Sequence, residues 1–408
     1  MSAPTLQILV GFEQTANFGT PFQLDSATLG LLNTGTLGGT QLVDVTSMGE
    51  RVTITRGRNR ETEQFNAGTA TVVFDDPTRI FDPLNDASPY YPFVGPRNPI
   101  IISANGIPIY SGLVTDWDLD YGFTTSANKT SVQCSDAFTV FANQSFDEWT
   151  PTAQSSGARV NAVLARPEVS YQGARAISTG SSTLGAYLIE AGGNVLQYLQ
   201  NVSASEQGYL FMSSGGTLTF RSRADALNPV PVLDFNDDGT GIRYQSLTNA
   251  YGDELLFNYV QTQSPAGAVQ IASDVNSIAL YQSQSYSKLD LLNSTTAEVA
   301  GLGNYLLGRY KDPQVRFTGI GTQLAALSQA EQEACLDVDL TDIVAVGKTF
   351  DTGNPAHVTQ TLITSGVSHE ISPGSHVIRF TFESTDGNAY LTLDADPLGK
   401  LDTNLLAF

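Results

Sequence analysis

The chain has 408 residues, 41% of them hydrophobic, and a formal net charge of −21, so it can bury sizeable cores and disorder is excluded as the default. The acidic balance argues against holding nucleic acid or an anionic membrane, which takes summed lysine and arginine charge. Charged residues make up only 15%, amid abundant Gly, Ser, Thr and Asn, which favours many short strands over long charged helices.

In chain order, the start "MSAPTLQILVGFEQ" has no basic opening followed by a long apolar run, so the expectation is synthesis in the cytoplasm without a secretory signal. Residues 1–150 alternate. Val52, Ile54, Ala70, Val72 and Phe74 share one side of strands, and Thr53, Thr55, Thr69 and Thr71 the other. "NPIIISANGIPIYSGLVTDWDL" reads as a hairpin on Asn105-Gly106, and "KTSVQCSDAFTVFA" closes a first β-barrel-like domain. In residues 151–230, "RVNAVLARP" places Val160, Val163 and Leu164 on one helical face before Pro167. "NVLQYLQNVSASEQG" does the same with Val195, Leu196, Leu199 and Val202 before Gly208, and a hairpin on Gly215-Gly216 completes a small α+β module. Strands return in 231–388 ("ELLFNYVQTQ", "DIVAVGKTF", "HVTQTLITSGVSHEIS", "SHVIRFTFES") around a single helix, Thr296 to Tyr310, as a second β-barrel-like domain. The fold class expected is mainly β with a small α+β insertion. A last segment, 389–408, reads as a docking extension. Its Tyr390–Leu406 shares the frame Asp-x-x-x-Leu-Gly-x-Leu-Asn/Asp-Thr-x-x-Leu with Phe22–Leu37, either by coincidence or as a docking element used twice.

Reactive chemistry is hard to find. "DFNDDGTGIRYQ" spaces Asp234, Asn236 and Asp238 like a calcium loop, but Gln245 stands where a bidentate carboxylate belongs, so an Asx-rich turn fits better. His369 and His376 fall diagonally on one sheet face if residues 372–375 turn, yet Val367, Ile371, Ile378, Phe380 and Phe382 share that face, which favours core histidines over metal ligands. Cys134 and Cys335 sit in apolar strand-like surroundings and read as buried and reduced. No nucleophile elbow, phosphate loop or zinc-protease motif occurs, so neither catalysis nor a cofactor is expected.

The stretch "VTITRGRNRETEQFNAGTATVVFDDPTRIFDPLN", with the segments "SPYYPFVGPRNPIIISANGIPIYSGLVTDWDLDY" and "TSVQCSDAFTVFA", resembles the N-terminal domain of minor tail proteins of long, non-contractile-tailed bacteriophages, the tail-tip or baseplate hub family. "STLGAYLIEAGGNVLQYLQNVSASEQGYLFMSSGGTLTFRSR" is similar to that family's inserted α+β module. "NSIALYQSQSYSKLDLL", "AEVAGLGNYLLGRYKDPQVRFTGI" and "VDLTDIVAV" resemble its second hub domain, with Thr341 where the family more often has glycine. The resemblance implies a structural virion protein at the tail tip and not an enzyme. It would be a homotrimer whose paired β domains match a hexameric ring, close the tail tube, join the distal tail ring and tape measure to fibres or adhesins, and open for DNA passage without holding the DNA specifically.

Two site expectations follow. Arg56, Arg58 and Arg60 with Asp75, Asp76 and Asp82 form a subunit interface, and Leu393, Leu398, Leu401, Leu405, Leu406 and Phe408 dock on a partner. The alternatives are a hexameric distal tail adaptor, a peptidoglycan-degrading tail enzyme, for which no catalytic constellation is found, and a carbohydrate-binding adhesin using Tyr90, Tyr91, Phe93, Trp117, Tyr121 and Trp149.

Overall fold

The computed structural model describes residues 2–12, 42–124, 127–223, 230–265 and 267–385. Its first part holds β1 (Leu6–Gly11), β2 (Leu42–Asp44), β3 (Gly49–Gly57), β4 (Asn66–Asp75), β5 (Pro99–Ala104), β6 (Ile107–Asp120), β7 (Lys129–Ser135) and α1 (Phe138–Ala142). Then come β8 (Gln154–Ser155), α2 (Ser156–Leu164), β9 (Arg175–Ile177), β10 (Thr183–Leu184), α3 (Val195–Glu206), β11 (Tyr209–Met212) and β12 (Leu218–Arg221). The last part holds β13 (Leu233–Phe235), β14 (Ser246–Ala250), β15 (Tyr259–Thr262), β16 (Gln270–Ser273), α4 (Val275–Tyr281), β17 (Ser285–Lys288), α5 (Thr296–Tyr310), β18 (Arg316–Gln323), α6 (Gln329–Asp337), β19 (Ile343–Thr349), β20 (His357–Ser372) and β21 (Ser375–Ser384). The mainly β fold with a few helices is as the alternation implied.

One hydrogen-bonded path, β14-β18-β21-β20-β3-β4-β7-β6-β5-β1-β2, runs through both β regions, with β19 on β20 and β13 on β19. The regions meet where β3 pairs antiparallel with β20, from Gly57 opposite Gly366 to Val52 opposite Ile371. Period-two burial sets this register: Val52, Ile54 and Arg56 of β3 and Ala70, Val72 and Phe74 of β4 face inward, and a one-residue slip would expose them all. The Asn105-Gly106 hairpin forms with φ of 49° and 80°, the left-handed pair that a tight primed turn needs.

The α+β module packs α2 against α3 beside the sheet β11-β12-β9. Ser155 and Asn194 accept from the Ala158 and Gln197 N–H groups and so cap the two helices. Helix α5 spans the expected residues and opens with a reciprocal Thr295–Glu298 capping box. The structure corrects the reading of this last region in two places. The run Glu254–Gln263 forms a strand only at Tyr259–Thr262. That strand, with β16, β17 and α5, builds a small lobe whose core (Val260, Ala272, Leu291, Val299, Leu302, Leu306, Tyr310) is separate from the main one. Two further helices, α4 and α6, were not expected. Helix α4 buries only Ser277, and α6 only Gln332, Cys335 and Leu336, too few apolar positions to write a helical stripe.

The cysteines are free and buried, and burial pushes the Cys335 thiol up to about 12. Among the described residues no helix is long and apolar enough to cross a membrane. Both copies of the Leu-Gly frame, Phe22–Leu37 and Tyr390–Leu406, lie outside the described residues, and with them the docking leucines and Phe408.

Candidate functional site

Much of the charge in segment 56–82 is engaged within the chain itself. Arg56 follows the inward side of β3, and its Nη1 donates to Asp339 Oδ1 at 2.7 Å, both side chains being largely covered. Asp339 also accepts from the Ser214 N–H. Although burial disfavours its charge, Arg56 and these N–H groups hold its carboxyl below the usual range. Arg58 is clamped by Glu383 Oε2 at 2.5 Å and the Glu63 carbonyl at 2.8 Å, with its guanidinium over the Phe65 and Tyr209 rings. Asp76 is buried and accepts from the Ile80 and Phe81 N–H groups and the Thr130 hydroxyl. Asp82, also buried, takes Arg79, the Tyr121 hydroxyl and the Leu84 N–H. These bonds fold residues 76–98 back so that Phe81 seals the first core. Of the six proposed interface residues only Arg60 and Asp75 lie at the surface.

The turn after β3 is where four parts of the chain converge. Glu61 binds Arg309 of α5 (Arg309 Nε to Glu61 Oε1, 2.5 Å), and a second Arg309 nitrogen donates to the Ser384 carbonyl at the end of β21. Arg60 reaches Glu254 of the lobe at 2.9 Å. Phe65 packs on Phe211 of the α+β module, and its carbonyl accepts from Gln200 of α3. A narrow polar cleft of about 60 Å³ lies among these parts, lined by Arg58, Glu61, Lys288, Tyr305, Arg309 and Glu383. Every arginine here is matched to a carboxylate, and burial pushes the Glu383 carboxyl up against the pull of Arg58. Such an arrangement joins parts of a fold. It offers no nucleophile and base within hydrogen-bond reach of each other.

Sequence reasoning reached the segment through its charge but missed its partners Asp339, Glu383 and Arg309. They lie hundreds of residues away, and no local spacing marks them.

The histidine pair is as the turn predicted. His369 stands opposite Ile378, diagonal to His376, and their rings meet Nδ1 to Nε2 at 3.0 Å inside the core. Burial lowers His376 to about 4 and, with His376 beside it, His369 well below its usual value. Among the described residues no three His, Cys, Asp or Glu side chains gather as metal ligands. The sign of the pH effect follows. Above pH 6.5 both folded and unfolded histidines are neutral, and below it the unfolded chain takes up protons that the core refuses. Stability is therefore expected to fall from pH 6.5 toward 4, with His376 accounting for about 3 kcal/mol by pH 4. Urea midpoints across this range should slope less in the His369→Leu/His376→Leu double variant, and an unchanged slope would refute the assignment.

The 234–245 loop is a set of Asx turns: Asn236 accepts from the Asp238 N–H and Asp238 from the Thr240 N–H and hydroxyl. Thr341 holds φ at 69°, a conformation that glycine takes without cost, and its hydroxyl is buried. Of the aromatics considered for sugars, Tyr90 stacks on Phe12 at 4.0 Å, Trp117 donates to the Gly95 carbonyl, and Trp149 packs on the core. Tyr91, Phe93 and Tyr121 are exposed.

No protein-family model matches the sequence, and no curated protein does. Solved structures do match. The prophage MuSo2 43 kDa tail protein from Shewanella oneidensis aligns over 94% of this chain and 99% of its own, with a TM-score of 0.58 at 11% identity. The tail protein from Neisseria meningitidis MC58 aligns over 94% and 98%, with a TM-score of 0.56 at 12% identity. This chain has their fold. At 94% coverage of this chain, the shared fold takes in the α+β module and the small lobe as well as the continuous sheet.

Proposed function

We propose that the chain is a structural protein of a phage tail, placed at the tail tip as a hub that closes the tube, joins the distal ring and tape measure to fibres or adhesins, and opens for DNA. The supporting observation is the fold shared along nearly the full length of two tail proteins. The inward use of charge agrees with it, since buried arginine–carboxylate pairs lock parts of one chain together rather than prepare a reaction. A homotrimer, with paired β regions alternating around a ring, is the assembly this reading requires. Side-chain-resolution imaging of the intact particle tests it: the chain should appear at the tail terminus in three copies enclosing a channel. Its absence there, or single copies enclosing nothing, would refute the proposal. The same image tests whether Leu393, Leu398, Leu401, Leu405, Leu406 and Phe408 touch a neighbour.

Within the interface reading, Arg60 and Asp75 are the members exposed enough to meet a second subunit directly. Arg60→Glu is expected to leave the monomer's unfolding midpoint within about 0.5 kcal/mol, as exposed pairs contribute little. It should also shift the oligomer's dissociation to lower salt in native mass spectrometry. An oligomer indifferent to both Arg60→Glu and Asp75→Lys removes the role. The exposed Tyr91, Phe93 and Tyr121 support a second reading, a glycan adhesin. It requires signal on a host cell-wall glycan array that is lost in Tyr91→Ala/Phe93→Ala.

A further inference from the structure

A concave seam separates the first β region from the α+β module. Its floor is apolar, made by Leu113 of β6, Phe141 of α1, and Val169 and Tyr171 after α2, and the hollow over it has a volume of about 230 Å³. That is room for a single side chain, below the range of pockets that take a whole small-molecule ligand. Two non-glycine residues on its wall hold left-handed backbone: Arg97 at φ 73° and Ser170 at φ 41°. Each is pinned by a short bond, from the Arg97 N–H to the Val114 carbonyl and from the Ser170 N–H to the Arg166 carbonyl, both at 2.7 Å. The surrounding fold therefore enforces conformations costing on the order of 1–3 kcal/mol each, as happens where a wall must keep a set shape.

Two polar groups on this wall lack their match. Arg97 is exposed and has no ion-pair partner among the described residues, in a chain carrying twice as many acids as bases, 41 against 20. Gln144 has its Oε1 buried without a hydrogen-bond partner, while its Nε2 makes only a long bond, 3.4 Å, to the Val169 carbonyl.

We propose that this seam is a docking pocket for a protein segment that presents an apolar side chain beside a carboxylate. The side chain fills the floor and the carboxylate pairs with Arg97. Charge complementarity selects this occupant, since an apolar group alone would leave the guanidinium unmatched. The inference stands on the purified chain and is independent of where in a particle the chain sits.

The test uses full-length protein and a fluorescein-labelled peptide with the sequence of residues 391–402, which carries Leu393 beside Asp394 and Leu401 beside Asp402. Anisotropy should show saturable binding that weakens at least about tenfold with Arg97→Glu, the loss typical of one charge-assisted bond. Binding should disappear with Val140→Trp, which fills the pocket wall, while circular dichroism shows both variants folded. A peptide with Asp394→Lys and Asp402→Lys should bind weakly to the wild type and regain affinity for Arg97→Glu. Equal affinity across both protein variants, or no binding at millimolar peptide, overturns the proposal.

Discussion

Gly57→Ala is expected to destabilise the fold by more than about 3 kcal/mol, the range reached when backbone strain and steric overlap coincide. Gly57 ends β3 at φ 111°, outside the region any L-residue adopts readily, and a Cβ there would lie 2.2 Å from the Ser365 carbonyl oxygen and 2.5 Å from the Gly366 Cα. Both contacts are backbone of β20, so no side chain can yield. The strands forced apart are those that join the two β regions, so the damage falls on the whole sheet and not on one hairpin. Gly106→Ala is the control. Its φ of 80° is also left-handed, but a Cβ there meets nothing within 4 Å, and the cost should be about 1 kcal/mol. Urea unfolding of the two variants checks the contrast, and equal midpoints would show that the β3–β20 seam is not as tight as described.

Arg58→Ala should cost about 3–5 kcal/mol, because it leaves the Glu383 carboxylate buried and uncompensated. The loss includes more than charge, since the guanidinium also covers Phe65 and Tyr209. Arg58→Met/Glu383→Leu removes both charges while keeping volume, and most of the stability should return. If the double variant is as unstable as Arg58→Ala alone, packing and not the unpaired carboxylate explains the loss. Hydrogen exchange adds a spatial readout. In Arg58→Ala, protection should fall together in the turn 58–65, in β21 and at the start of strand β11, the segments that the arginine holds.

Elements with a local cause were legible. Alternation gave β3, β4 and the β20–β21 hairpin with its diagonal histidines. Apolar faces closed by Pro or Gly gave α2 and α3, periodicity gave α5, and paired turn residues gave the hairpins at Asn105-Gly106 and Gly215-Gly216. Helix α6 was missed although it begins with a Ser328–Glu331 capping box, because only three of its side chains are buried and the stripe that would confirm the cap is absent. The inward direction of Arg56 was in fact written in the alternation, two residues beyond Ile54, but an arginine on a dry face contradicts ordinary composition unless its partner is known.

What the sequence determined by itself is therefore the main strands, three of the helices, the side the β3 and β4 strands turn to their core, and the mainly β class, since these follow from contacts a few residues apart. Only the tertiary structure decided that the two β regions share one sheet through β3 and β20. It alone also showed that the small lobe has its own core, and that Arg56 and Arg58 of the basic cluster pair with carboxylates of the last region. The physical reason is range. A guanidinium at position 58 finds its carboxylate at 383 through the closure of the whole fold, and the free energy of such a pair depends on burial that no neighbouring residue encodes.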